Sequence, residues 1–178
     1  MSPIATAGRD RFKRGLLVHR LLQSLPELPA AEREIAARRF LAAPTHSLAI
    51  DAQDEIRRAT LAVLDHPDFA ALFGPGSRAE VPVAGLIRAS TGNSHAVSAQ
   101  IDRLVVTQDR VLIVDYKTLR PPPASEREVA PLYLRQLAIY RAALARIYPR
   151  HEISCALLWT EGPRLMPISS QILAGYSP

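Results

Sequence analysis

The pattern of apolar positions changes character near the middle of the chain. Gly15 to Leu25 is apolar nearly all round, which predicts a buried helix stopped at Pro26. Ala30–Leu41 and Asp51–Leu64 read as two further helices, with Asp51 as N-cap of the second and Pro44–Ser47 between them. Residues 1–14 are polar and basic and are expected to fray at the start. Gly74-Pro75-Gly76-Ser77 is a strong breaker and closes this helical part. Beyond it, Ala79–Ile87, Ala96–Val106 and Val111–Tyr116 are rich in β-branched residues and predict strands. Leu119–Val129 holds three consecutive prolines and must be a loop. Pro131–Tyr148 carries a helical stripe of Leu137, Tyr140, Leu144 and Ile147, ended by Pro149. Ile153–Thr160 reads as a buried strand, followed by a short one around Arg164–Ile168. The expected fold class is α/β. It would be one domain over residues 1–178, with a helical part (1–75) and an α/β catalytic core (76–178).

The strand pair flanking Thr107-Gln108-Asp109-Arg110 carries the most chemistry. An antiparallel hairpin with Gln108-Asp109 at its tip opposes Thr107 to Arg110, and the same register brings Asp102 opposite Asp115. Their Cβ atoms would then lie about 5 Å apart. Lys117 falls two residues past Asp115 and shares its face. That face would hold Leu104, Val111 and Ile113 as well, and the other Ile101, Val105, Leu112 and Val114. A strand pair apolar on both faces is a covered, central one. Two facing carboxylates repel unless one is protonated or a cation bridges them. A hard divalent ion, Mg²⁺ or Mn²⁺, satisfies the pair and suits phosphodiester hydrolysis, with Lys117 orienting the attacking water or offsetting transition-state charge. The structural alternative is a surface salt-bridge cluster of Asp102, Arg103, Asp115 and Lys117.

Composition narrows the class. Net charge is +5 with pI near 9.9, which suits a polyanionic partner. Arginine supplies 20 of 22 basic residues, so Lys117 stands out as one of two lysines. The single Cys155, in an apolar run, excludes a four-cysteine zinc or iron–sulfur site within this chain and reads as a small hydrophobe. There is no phosphate-binding G-x-x-x-x-G-K loop, no apolar run that spans a bilayer and no signal-peptide pattern; a cytoplasmic bacterial protein without a membrane partner is expected.

Ile101-Asp102-Arg103 followed by Val114-Asp115-Tyr116-Lys117-Thr118 resembles the D…D-x-K signature of PD-(D/E)XK nucleases. Gly15-Leu16-Leu17-Val18-His19, Glu80 in Ala79-Glu80-Val81-Pro82, and Gln136 with Tyr140 resemble further elements of the RecB-like branch. The runs Leu72–Ser77, Asp115–Pro123 and Ala156–Leu165 are similar to the nuclease domains of AddA-type helicase–nucleases. One departure is Ala99, where that family commonly has glycine. The resemblance implies a restriction-endonuclease-like core, a central mixed sheet flanked by helices. It implies His19, Asp102, Asp115 and the Tyr116 backbone carbonyl as metal ligands. Lys117, Asp115, Asp102, Glu80, Gln136 and Tyr140 become the catalytic set, with Mg²⁺ or Mn²⁺ as cofactor. The implied activity is exonucleolytic cleavage of DNA, expected single-stranded, in double-strand-break repair beside helicase motor domains and an AddB-like partner subunit. By themselves, a histidine among leucines and a tyrosine on a helix stripe read equally as core residues, and Glu80 as a strand-edge charge.

Arg135, Arg146 and Arg150 fall on one side of the helical period and are candidates for phosphate contact, as is the cluster from Arg9 to Arg14; a solvated outer face is the alternative. Two other readings stay open at this stage. One is a catalytically silent DNA-binding or scaffolding module; the other is a PD-(D/E)XK nuclease outside the RecB-like branch.

Overall fold

A five-stranded sheet in the order β1-β2-β3-β4-β5 forms the centre of the computed structural model, which describes residues 3–88 and 94–176, with side chains from 12 to 85 and 98 to 176. The strands are β1 (Ser77–Arg88), β2 (Ser94–Val106), β3 (Arg110–Lys117), β4 (Glu152–Trp159) and β5 (Arg164–Ile168). β3 and β4 run parallel and every other neighbour pair is antiparallel, so the sheet is mixed. The parallel step requires a crossover, supplied by α4 (Pro131–Ile147). The N-terminal part contributes α1 (Pro3–Ser24), α2 (Ala30–Leu41) and α3 (Ile50–Leu64), and a short α5 (Ser170–Ala174) closes the chain.

Both faces of the sheet are covered, as the apolar alternation of β3 demands. Val111 and Ile113 pack toward α4 with Leu134, Leu137, Tyr140 and Leu144, joined from β4 by Cys155, Leu157 and Trp159. Val114 and Tyr116 point the other way, into a second cluster with Leu17, Val18, Leu21 and Leu22 of α1 and Ile56 and Val63 of α3. Among the described residues, then, two hydrophobic clusters meet back to back across β3 and β4.

The hairpin register is as expected: Arg103–Val114, Leu104–Ile113, Val105–Leu112 and Val106–Val111 are the paired positions. Gly76 sits at the start of β1 with φ +86, where a Cβ would meet the Val106 carbonyl oxygen at 2.7 Å, so only glycine fits this turn.

Four local expectations need correction. The first helix begins at Pro3 rather than Gly15; proline is tolerated in a first turn, where its missing N–H is not needed. Asp51 is not the N-cap of α3. Ala49 holds that position, and Asp51 lies in the first turn, where its charge complements the helix dipole. Ile101 belongs to the α4-side cluster rather than the face of Val105 and Val114. The strict two-residue alternation breaks between positions 101 and 103, opposite Glu80, whose φ is +52. Finally, α5 follows β5 where no element was expected; Ser169 caps it by accepting from the Ile172 N–H at 3.3 Å.

Candidate active site

The site forms where β2 and β3 part. Their last paired position is Arg103–Val114, and Asp102 and Asp115 come next in the same register. The Asp102 carboxylate accepts a hydrogen bond from the Tyr116 backbone N–H at 2.7 Å through Oδ2. Its Oδ1 lies 3.3 Å from Nδ1 of His19, which α1 delivers from the opposite layer. Gly15, one turn before His19, lets α1 come close to the end of β3: a Cβ there would stand 3.4 Å from Thr118 Oγ1. The His19 ring meets the Tyr116 ring edge-on at 5.5 Å between centroids. β1 adds Glu80 at its left-handed residue. Asp102 and Glu80 occupy the one position where the β1–β2 ladder skips a pair, between Ala79–Arg103 and Val81–Ile101. A non-glycine residue in the left-handed region stores about 1–2 kcal/mol of strain, and here the kink brings the Glu80 carboxylate to the cluster. One ligand atom each from His19, Glu80 and Asp102 lies within 4.8 Å of the others.

Asp115 stands beside this cluster, within reach of the charges of Asp102 and His19. It is 2 % exposed. Its counter-charge is Lys117, whose Nζ pairs with the Asp115 Oδ2 while lying 4.2 Å from the centroid of the Tyr133 ring. Burial pushes the Asp115 carboxyl above the usual carboxylate range; Lys117 opposes the shift and Asp102 adds to it. Glu80 is raised as well, by burial first and then by Asp102. For His19, burial works to lower the pKa, but the hydrogen bond and charge of Asp102, with Asp115 behind, outweigh it and hold the group above its ordinary value. All three shifts favour retaining protons: burial is the main cause for the two carboxyls, and the neighbouring aspartates are the cause for His19.

The donor set fits a divalent cation. Two ligands on one Mg²⁺ at about 2.1 Å lie at most about 4.2 Å apart, so the observed spread closes with a small side-chain adjustment. Glu80, Asp102 and Asp115 stand near one another with Lys117 as the lysine among them, paired to Asp115. Oxygen donors with a single imidazole are a set that divalent cations such as Mg²⁺ or Mn²⁺ accept. The expected ligand His19 and the expected rim acid Glu80 therefore stand together with Asp102, whereas Asp115 is turned to Lys117. The group that Tyr116 gives to Asp102 is its N–H.

Gln136 and Tyr140 are adjacent on α4, as their spacing implies. Gln136 Nε2 donates to the Tyr140 hydroxyl at 2.7 Å, and that hydroxyl donates to the Gln100 carbonyl at 2.9 Å. The pair fastens α4 to β2 two residues before Asp102, a positioning contact. The arginines separate. Arg135 is exposed in the first turns of α4, beside Gln136 and near the site end of the sheet. Arg146 lies eleven positions further along the helix, about 17 Å at 1.5 Å per residue, and Arg150 follows the helix next to the start of β4, which pairs with Arg110 at the far end of β3. The three do not form one patch. In the N-terminal cluster, the side chains of Arg9 and Arg11 lie outside the described residues. Arg14 is taken up by Glu55 and Glu161, which Arg120 also pairs with; this network ties α1, α3, the loop after Lys117 and the β4–β5 turn together.

Sequence reasoning gave no role to Arg103 beyond a surface salt-bridge alternative, and that alternative fails for it. Arg103 is 1 % exposed. It donates to the Tyr116 hydroxyl at 2.9 Å, to Ser77 Oγ at 3.2 Å and to the Leu22 carbonyl of α1, and it lies over the Phe73 ring at 4.9 Å. No signal of spacing marks such a residue; only the packing of α1 on the sheet shows it. Cys155 is buried with its thiol pushed up to about 12 by burial, as befits a small hydrophobe.

The model of the PD-(D/E)XK nuclease superfamily matches residues 4–165. The chain belongs to this superfamily. No curated protein matches it. Among solved structures, a protein from Eubacterium rectale described as a "Putative exonuclease" aligns over 86 % of this chain with a TM-score of 0.51 at 8 % identity. The chain spans 62 % of that protein's length, and the likeness is one of fold. A second structure, of the protein SSO0001, covers 88 % of this chain and 70 % of its own at 15 % identity, with a TM-score of 0.37, too low to carry an argument. The fold is thus the restriction-endonuclease-like core of PD-(D/E)XK nucleases, a mixed sheet between helical layers. Among the described residues, no helix of this superfamily member is long and apolar enough to cross a membrane.

The upward shifts give a pH prediction. A carboxyl whose folded pKa is raised favours the protonated folded state, so its contribution to stability is lost as pH rises through that folded pKa. A raised histidine has the same sign. A cation bound by these groups takes their deprotonated forms and releases protons. The rise in Tm on adding Mn²⁺ is therefore expected to be larger at pH 8 than at pH 5, read by scanning calorimetry at fixed ionic strength. A rise independent of pH would mean that these groups do not hold the metal.

Proposed function

We propose that this PD-(D/E)XK superfamily member is a Mg²⁺- or Mn²⁺-dependent deoxyribonuclease that hydrolyses phosphodiester bonds in DNA, acting as an exonuclease on single strands. The observation that carries the reading is the juxtaposition of His19, Glu80 and Asp102 with the buried Asp115–Lys117 pair at one end of β3. His19, Glu80 and Asp102 would hold the cation, with Asp115 and the Tyr116 carbonyl completing the set. When bound, the ion would polarise a phosphoryl oxygen and lower the pKa of water.

The chain's own groups do the rest. Asp115 holds the Lys117 Nζ within a narrow range of positions, assisted by the face of Tyr133. Lys117 then donates hydrogen bonds to the attacking water or to the non-bridging oxygens as their charge grows. Water adds to phosphorus, one P–O ester bond breaks, and the products are a phosphate monoester and a hydroxyl. Gln136 and Tyr140 fix β2, and with it Asp102, against α4.

The finer assignment rests on the combination of Gly15, His19, Glu80, Gln136 and Tyr140 in RecB-like order. On that basis the domain serves as the nuclease part of an AddAB-type helicase–nuclease in double-strand-break repair, with motor domains and an AddB-like subunit supplying the strand. Cytoplasmic bacterial location belongs to the same proposal. The test is cleavage of end-labelled linear single-stranded DNA in EDTA, Mg²⁺ and Mn²⁺, beside Asp115→Ala and Lys117→Ala. Cleavage that needs metal and is lost in both variants is the expected result. Absence of both cleavage and metal binding in the wild type would sink the catalytic reading.

A further inference from the structure

Beside the metal cluster lies an apolar recess of about 240 Å³ whose walls are Phe12, Gly15, Leu16, His19 and Thr118. His19 therefore has two neighbours: Asp102 on one side and this recess on the other. Phe12 is 71 % exposed and Leu16 is 49 % exposed, one turn apart on α1. Large hydrophobics left in water are few among the described residues. Two others, Leu119 and Leu132, also adjoin the site in sequence, two residues after Lys117 and one before Tyr133. Ile35, Ile50 and Ile147 are exposed elsewhere, but Phe12 and Leu16 form one apolar wall beside His19, and such a wall at a catalytic rim marks a binding surface. A duplex presents sugar and phosphate outward and keeps its bases stacked, so it has little to offer such a surface. An unstacked strand presents one flat apolar base per phosphate.

From this we infer that the Phe12–Leu16 recess takes the nucleobase next to the scissile phosphate, with the base stacked on the Phe12 ring, and that it makes the enzyme select unstacked strands. The inference rests on the nuclease reading above and names the part of the strand that the site reads. The recess adjoins His19, so a strand with a phosphate at the metal cluster has its neighbouring base within reach of Phe12. One basic group, Lys13, stands next to Phe12 on the same turn of α1. Stacking tolerates every base, so no sequence preference is expected.

The test is equilibrium binding of the full chain to an oligothymidylate and to an abasic strand of equal length, by fluorescence anisotropy, with Phe12→Ala and Phe12→Trp beside the wild type. Wild type is expected to favour the oligothymidylate about fivefold to a hundredfold, the range found when a stacking aromatic is removed. Phe12→Ala should erase that preference, and Phe12→Trp should keep it. Phe12 is mostly exposed, so neither change should disturb folding, and an unchanged Tm checks this. Leu16→Ser, on the same wall, should lower the preference without a new side chain at position 12. Equal binding of the two strands by wild type, or undiminished preference in Phe12→Ala, would overturn the inference; so would the absence of any DNA binding, which would leave the recess to a protein segment. Cleavage is read separately. Base-dependent binding with neither cleavage nor Mn²⁺ binding would remove the nuclease reading and leave the recess as a base-binding site alone, and cleavage with an unaltered KM in Phe12→Ala would remove the recess and keep the nuclease.

Discussion

Lys117→Ala should lower kcat by about a hundredfold to ten-thousandfold while leaving Mn²⁺ affinity within a few-fold of wild type. The separation of the two effects follows from geometry. Lys117 is not among the atoms gathered around His19, Glu80 and Asp102; it lies against Tyr133 and the Asp115 carboxylate. Removing it takes away the donor for the developing charge. It also leaves a 2 % exposed carboxylate without a counter-charge, so Asp115 should take up a proton more readily in the variant. Lys117→Arg should restore little, because a guanidinium is wider and meets the Tyr133 face differently. Single-turnover cleavage and calorimetric Mn²⁺ titration on the same preparations give the two numbers. Loss of metal affinity in step with loss of rate would place Lys117 in a structural role instead.

Arg103→Ala is expected to be the most damaging substitution outside the site. It removes donors to three acceptors on three elements, the Tyr116 hydroxyl, Ser77 Oγ and the Leu22 carbonyl, and opens a cavity beneath Phe73. Buried groups stranded in this way cost about 1–3 kcal/mol each, and the cavity adds to that, so a loss of several kcal/mol is expected. Arg103→Met keeps most of the volume but strands the same three acceptors, so it should be milder than alanine only by the cavity's share. It should also weaken Mn²⁺ binding, because Arg103 ties Leu22, three residues after His19, to the strand that bears Asp102. Denaturant titration of both variants, with and without Mn²⁺, separates these effects. Equal destabilisation by alanine and methionine would show that the hydrogen bonds, rather than the filled volume, dominate.

The contrast between these two residues shows what the sequence makes legible. Lys117 could be read because a strand has period two: once Asp102 and Asp115 share a register, the position of the lysine follows. The strands, α2 and α4 were legible for similar reasons, since β-branched runs and a 3.6-residue stripe are local signals. Glu80 was readable only through family resemblance, because nothing local announces a left-handed residue at the middle of a strand. The same kink explains why Ile101 was assigned to the wrong face. Arg103 and the Arg14–Glu55–Arg120–Glu161 network were illegible. Each depends on which long-range neighbours the fold supplies, and no periodicity encodes that. The arginines were illegible in another way: charge counts do not show that Arg14 is paired with Glu55 and Glu161, or that Arg135 and Arg150 sit at opposite ends of α4.

The back-to-back arrangement of the two hydrophobic clusters bears on when the site exists at all. His19 rides on the layer of α1, α2 and α3, and Asp115 and Lys117 face the layer of α4. The contact that pins α1 to β2 joins residues 81 positions apart. Closing so long a loop is entropically slow, and the local strand pairs can form before it. The sheet with α4 can therefore persist through fluctuations in which the helical layer lifts away. Amides of α1 and α2 should exchange with deuterium sooner than those of β3 and β4, in a sub-global opening rather than a global one. During each opening the chain keeps a folded sheet but has no metal cluster, so the occupancy of the working enzyme is set by how firmly one layer docks on the other.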